Sequence, residues 1–334
     1  MRLAGVLLLT AASACAPRAV SPAAPPAPPP LHLTPLADLV PAAGLSWIAD
    51  LRPRAFFADA TLIPALAEVF PEAELDAAAR ERGGLDLRGM DGFVAAGYDS
   101  GTLLLAHQLL EPAKLEGAFA GRVADVQGRA IDRGGDDPRG AIIRTWGARG
   151  TSHETLVVFG REAAGLALGS DTRLRAAELF AEGKLKRAQP AWRTPPLDGI
   201  AARLGDAPLR VAVPGPFTGL WSKGVGGLLA AATGAGGAVW VEGGAARVKI
   251  VLTGNWGERA EEAAQRLRSC YEALTDTGLG RLLGLPHPVA APTVTAAPDG
   301  VALEVRLAVE PLLRGLADAT TSQLRDLMQG GPTR

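Results

Sequence analysis

Between Val301 and Val309 apolar residues recur at every second position, with Glu304 and Arg306 between them. A period of two predicts a half-buried antiparallel strand, one face on a core and the other toward water. Similar patterns predict strands at Leu45–Leu51, Phe93–Tyr98, Thr102–Leu109 and Pro208–Val213, and shorter ones at Arg129–Arg133, Ala141–Trp146, Thr155–Phe159 and Gly165–Leu168. Turn residues separate them. Asp99-Ser100-Gly101 closes one hairpin, and Gly134 to Pro138 forms another turn. Gly243-Gly244, between Ala238–Glu242 and Ala245–Thr253, is a two-residue turn of the primed type.

The helical period appears where the strand period stops. Ala260, Ala263, Ala264, Leu267, Cys270, Tyr271 and Leu274 share one stripe, which predicts the longest helix. Asn255 is its expected N-cap, with Glu258 as capping-box partner. Leu62–Arg82 reads as helix broken at Phe70-Pro71 and ended by Gly83-Gly84. Further helices are expected at Pro112–Val123, from Ser170-Asp171 to Gly183, at Leu197–Leu204, through the Gly-rich Phe217–Thr233, and from Pro311 to Met328. These runs predict an α+β fold of antiparallel sheets with helices packed on one face. A polar, Pro-containing connection at Lys184–Pro196 divides residues 31–190 from 191–330, near Trp192. Each half then reads strand, helix, hairpin, helix, strands, helix, the order expected of a tandem duplication.

The first thirty residues belong to neither half. Arg2 precedes an apolar run from Leu3 to Ala14. That run is too short to span a bilayer, which takes about 20 residues, and has the size of a signal-peptide core. It ends in Ala12-Ser13-Ala14-Cys15, which resembles the lipobox of bacterial lipoproteins, although Ala12 stands where a larger aliphatic residue is commoner. The resemblance implies a signal peptide over residues 1–15, acylation of Cys15, palmitate included, and attachment to a membrane through that lipid. Cleavage as an ordinary secretory signal after Ala14 or Ala16 is the alternative. Ala16 rather than Asp after the cysteine is compatible with an outer-membrane destination. Residues 16–30 are almost entirely Ala and Pro. They read as an extended tether of about 3.1 Å per residue.

Gly84-Leu85-Asp86-Leu87 before the Phe93 hairpin, and Leu279-Gly280-Arg281-Leu282-Leu283-Gly284-Leu285 in the second half, resemble motifs of exported bacterial proteins built from paired α+β repeats. That class has no established activity, so the resemblance implies an architecture and no chemistry.

Composition narrows the function. The chain is 48% hydrophobic and 21% charged, enough to bury a core. Its net charge of −1, without clustered Lys and Arg, argues against nucleic-acid binding. Cys270 is the one cysteine besides Cys15, and its place on the helical stripe predicts burial. No catalytic, cofactor or metal site is expected. Gly97-Tyr-Asp-Ser100-Gly101 lacks the spacing of a nucleophile elbow. His153-Glu154 lacks the second histidine of a zinc peptidase, and His32, His107 and His287 are scattered. Lys223-Gly224-Val225-Gly226-Gly227 is not a phosphate loop. Asp132, Asp136 and Asp137 lack calcium-loop spacing. The leading expectation is a non-enzymatic, lipid-anchored envelope protein that binds an envelope partner or acts as a scaffold. The alternatives are a carrier or sensor of an apolar ligand, held between a curved sheet and the segment Phe217–Thr233, and a hydrolase with an unfamiliar site.

Overall fold

The computed structural model describes residues 30–123, 132–133, 142–149, 152–185 and 189–315. The first half contributes strands β1 (Leu45–Leu51), β2 (Gly92–Tyr98), β3 (Gly101–His107), β4 (Asp132–Arg133), β5 (Ile142–Arg149), β6 (Ser152–Phe159) and β7 (Ala163–Gly169). The second contributes β8 (Leu209–Pro214), β9 (Ala232–Glu242), β10 (Ala245–Gly254), β11 (Ala290–Ala297) and β12 (Gly300–Ala308). Among the described residues these form one sheet in the order β11-β12-β10-β9-β8-β1-β2-β3-β7-β6-β5-β4. Every pairing is antiparallel. The halves meet at β1 and β8. From that seam each runs outward through three strands, crosses by way of helix, and returns so that its last strand pairs with its third.

The helices are α1 (Pro53–Phe57), α2 (Ile63–Val69), α3 (Glu72–Glu81), α4 (Pro112–Arg122), α5 (Thr172–Ala181), α6 (Leu197–Leu204), α7 (Ala260–Thr275) and α8 (Gly278–Leu282). The α+β class therefore holds, with helical cover on both faces of a single sheet rather than on one. Directly opposed residues share a face, so Ile48, Ala96, Leu103, Ala167 and Ala212 point one way. They pack with α5, α6 and the turns around Leu36–Leu39 and Trp192 in the main core. On the opposite face α4 covers Leu156, Val158 and Ala164, and α7 covers Leu252, Val301 and Leu303. The physical reason is in the strands: β2 and β3 are apolar at nearly every position, so both faces carry hydrophobic surface to remove from water.

Local chemistry sets most boundaries. Pro71 separates α2 from α3, and Gly83 (φ 65°) with Gly84 (φ 95°) ends α3 in the left-handed region. Gly243 and Gly244, both at positive φ, make the β9–β10 turn. Other parts of the chain differ from the sequence-based expectations. Phe217–Thr233 is not an α-helix. It is two 3₁₀ segments, Trp221–Lys223 and Val225–Ala231, because Val225, Gly226 and Gly227 all take positive φ and Ala232 already enters β9. Asn255 does not cap α7. A 3₁₀ turn at Gly257–Arg259 intervenes, and the N–H groups of Trp256 and Gly257 donate to the Pro298 carbonyl. The stretch before Pro298 contains β11, an edge strand whose Pro292 hid it; its register shifts between Ala290 and Thr293. Cys270 is half-buried rather than buried. Residues 309–315 are helical, and the rest of the expected Pro311–Met328 helix lies outside the described residues. So do residues 1–29 with Cys15, and the Gly134–Pro138 turn.

Tyr98 ties the sheet to the turn before β1. Its hydroxyl donates to the Pro41 carbonyl at 2.8 Å, and the Arg173 guanidinium lies 5.0 Å from its ring centroid. Burial pushes the phenol's pKa above its ordinary value, with Arg173 partly opposing. In the unfolded chain it ionises near pH 10, so this contribution is intact below about pH 10 and falls as pH rises further. Tyr98→Phe is expected to flatten the alkaline loss of stability, read by urea unfolding across that range. Equal slopes for variant and wild type would contradict the assignment.

Candidate ligand cavity

A cavity of about 430 Å³ lies in the first half, on the face that α4 covers. Its floor is the sheet: Phe93 of β2, Leu104 and Ala106 of β3, Ala164 and Leu166 of β7, and Leu156 of β6. Its roof is one side of α4, where Leu115, Ala118, Phe119 and Arg122 follow at helical spacing. Its third wall is the end of α3 and the loop after it, through Leu85, Leu87 and Met90.

Each wall is fixed by specific contacts. A Cβ on Gly83 would stand 2.5 Å from the Leu115 Cα, so only glycine lets the α3 terminus seat against α4. Gln108, buried at the end of β3, donates to the Gly84 carbonyl at 2.7 Å and accepts from the Asp86 N–H at 3.2 Å. Arg88 binds Asp86 through Nε and Nη2 and reaches Asp76 on α3 at 2.6 Å. Those side-chain hydrogen bonds hold the Asp86 carboxyl below the usual carboxylate range, against a smaller opposing effect of burial. Roof and floor are joined by Arg122 to Glu154 at 2.8 Å and by the Thr145 hydroxyl donating to Glu116 at 2.8 Å.

Glu81, Arg82, Arg122 and Glu154 are the charged side chains along the lining; the rest is Leu, Phe, Met, Ala and Gly. Arg82 and Glu81 are exposed at the rim, whereas Glu154 is buried and neutralised by Arg122. The volume falls within the range of roughly 300–1,000 Å³ typical of small-molecule pockets. Such a site can hold an apolar body with a polar group at its edge.

The candidates singled out in the sequence do not converge here. Ser100 is in the exposed β2–β3 turn. His107 lies 3.8 Å from Asp91 at the end of β3, and His153 is exposed on β6. His32 lies near the end of α5, where its N–H donates to the Ala181 carbonyl, His287 follows the turn after α8, and Asp136 and Asp137 lie outside the described residues. Among the described residues no group of three or more His, Cys, Asp or Glu side chains is arranged to hold a metal. The apolar site expected beneath Phe217–Thr233 is displaced. Leu228 and Leu229 of that segment pack against Leu252, Trp256 and α7 in a filled cluster, and the cavity opens in the other half. A pocket of about 150 Å³ adjoins the segment, beside Trp256 and Arg259. Two sequence features lie in this cavity: the apolar run Leu104–Ala106 of β3, and Leu85 and Leu87 of the Gly-Leu-Asp-Leu motif.

Among solved structures the chain is similar to TP0453. In crystal form III of that protein the TM-score is 0.48 at 10% identity, over 86% of this chain and 99% of that one. In crystal form I it is 0.47 at 9% identity, over 86% and 98%. No protein-family model and no curated protein matches the chain.

Proposed function

We propose that this chain is an exported, lipid-anchored envelope protein whose body binds an apolar ligand without transforming it. The cavity between α4 and the sheet carries the reading. It is lined by hydrocarbon, its charges are confined to the rim or paired, and its lining offers no hydroxyl, thiol or imidazole. Those are the groups of a binding site rather than of a reaction centre. The cavity moves the weight from the scaffold reading to the carrier. Among the described residues no helix is long and apolar enough to cross a membrane, so attachment in this reading rests on Cys15.

The two parts have separate tests. For the anchor, wild type expressed in a bacterium is expected to carry lipid mass and partition into detergent, whereas Cys15→Ser is expected to remain in the aqueous phase. Equal partitioning of both without lipid mass would remove the anchor. For the ligand, calorimetric titration of palmitic acid into the full chain carrying Cys15→Ser is expected to saturate at one site, with the negative heat-capacity change of apolar burial. A titration that never saturates would remove the carrier.

A further inference from the structure

The cavity floor does not end at the cavity. Leu156 of β6 is paired with Leu166, Leu166 with Leu104, and Leu104 with Ala95 of β2. Ala95 is paired with Ala49, Ala49 with Val211, and Val211 with Gly237 of β9. Cross-strand partners share a face, so this is one continuous apolar row perpendicular to the strands. From Leu156 to Ala49 it crosses four strand spacings, about 19 Å. Its first members lie beneath α4. Beyond the cavity it is only half covered: Ala95 and Ala49 are intermediate in burial and Val211 is 36% exposed.

The row is also low. Ala95 and Ala49 are small, whereas the neighbouring rows carry Phe93 and Leu51 on one side and Trp47 on the other. The Trp47 indole packs on Gly97, where an added Cβ would stand 2.0 Å from its Nε1, and Trp47 itself is 38% exposed. The result is a furrow with an aromatic flank, leading out of the cavity toward the seam of the two halves.

Given the binding reading above, on which this rests, we infer that the ligand is a single-chain amphiphile such as a fatty acid. Its polar head sits by Arg82 and Arg122. Its hydrocarbon chain passes beneath α4 and continues along Ala95 and Ala49 beside Trp47. A hydrocarbon chain fits better than a polypeptide. The furrow is continuous with a cavity of small-molecule size, and the strands beneath it already have both edges paired, which leaves no main-chain groups for an added strand.

The test uses the full chain carrying Cys15→Ser, with octanoic acid, stearic acid, and stearic acid brominated near its methyl end. Wild type is expected to bind stearic acid more tightly than octanoic acid. The brominated chain is expected to quench a fluorescence component that Trp47→Phe removes, because bromine quenches on contact. Ala49→Phe fills the furrow at a half-covered strand position that suits an aromatic residue. It is expected to weaken stearic acid by about tenfold or more and leave octanoic acid unchanged. If stearic acid binds, Trp47 is not quenched and Ala49→Phe changes nothing, the ligand stays within the cavity; the furrow is then overturned while the binding reading stands. If neither acid binds, both fall. If Ala49→Phe instead breaks a dimer seen by sedimentation, a second copy covers this face and the inference is wrong. The quenching difference between wild type and Trp47→Phe decides the matter even if Ala49→Phe does not fold.

Discussion

Asp50→Ala is expected to lower the stability of the body by about 2 kcal/mol, between the roughly 1 kcal/mol ceiling of an exposed ion pair and the roughly 3–5 kcal/mol cost of breaking a fully buried one, because this pair is partly buried. Asp50 on β1 is directly opposed by Arg210 on β8, and their side chains form a hydrogen-bonded ion pair, 17% and 20% exposed. The Arg210 guanidinium also lies 5.1 Å from the ring centroid of the buried Trp192. This is the seam where the halves become one sheet, and Trp192 belongs to the connection between them. Removing the carboxylate leaves the guanidinium beneath an indole with one long hydrogen bond, to the Gly205 carbonyl at 3.4 Å, and its Nε has no hydrogen-bond partner. Because the penalty comes from the uncompensated charge, Asp50→Leu combined with Arg210→Met is expected to recover most of the loss. Urea unfolding of the single and double variants checks both statements. An Asp50→Ala variant within about 0.5 kcal/mol of wild type, the usual range for an inconsequential surface change, would contradict the role given to the pair.

The second large effect is on binding. Leu104 is the floor residue where the cavity passes into the furrow, and it is half-buried. Leu104→Glu places a carboxylate under the hydrocarbon with no cation directly opposite, since its paired neighbours are Ala95 and Leu166. Desolvating that charge on ligand entry is expected to weaken palmitic acid binding by at least about a hundredfold, near 2.7 kcal/mol. Leu104→Met, close in volume and apolar, is expected to change it little. Calorimetric titration of the two variants reads the difference. Equal affinity for Leu104→Glu and wild type would place the ligand elsewhere.

Local features were the most legible in the sequence. Period-two alternation located β1 to the residue and β12 to within one at each end; Pro71 and Gly83-Gly84 marked the breaks around α3; Gly243-Gly244 marked the tightest hairpin. These are short-range consequences of side-chain period and backbone freedom. The strand β11 was hidden because Pro292 and four alanines erase the alternation. The Gly-rich segment kept a helical composition while glycine's positive φ broke the helix. The single sheet, with helices on both faces, depends on β1 pairing with β8 across 160 residues, as Asp50 and Arg210 show. No local pattern announces that. The cavity was least legible, since its lining is ordinary core leucine and phenylalanine contributed by α3, α4 and four strands. Only the fold reveals that one set of leucines encloses space while another fills it.

The most direct measurement is a crystal structure of the full chain carrying Cys15→Ser, grown with stearic acid. The account predicts a hydrocarbon chain between α4 and the floor of Leu104 and Leu166, its head at Arg82 and Arg122 and its tail emerging beside Trp47. A cavity closed by its own side chains at saturating stearic acid, or a ligand seated away from α4, would contradict it.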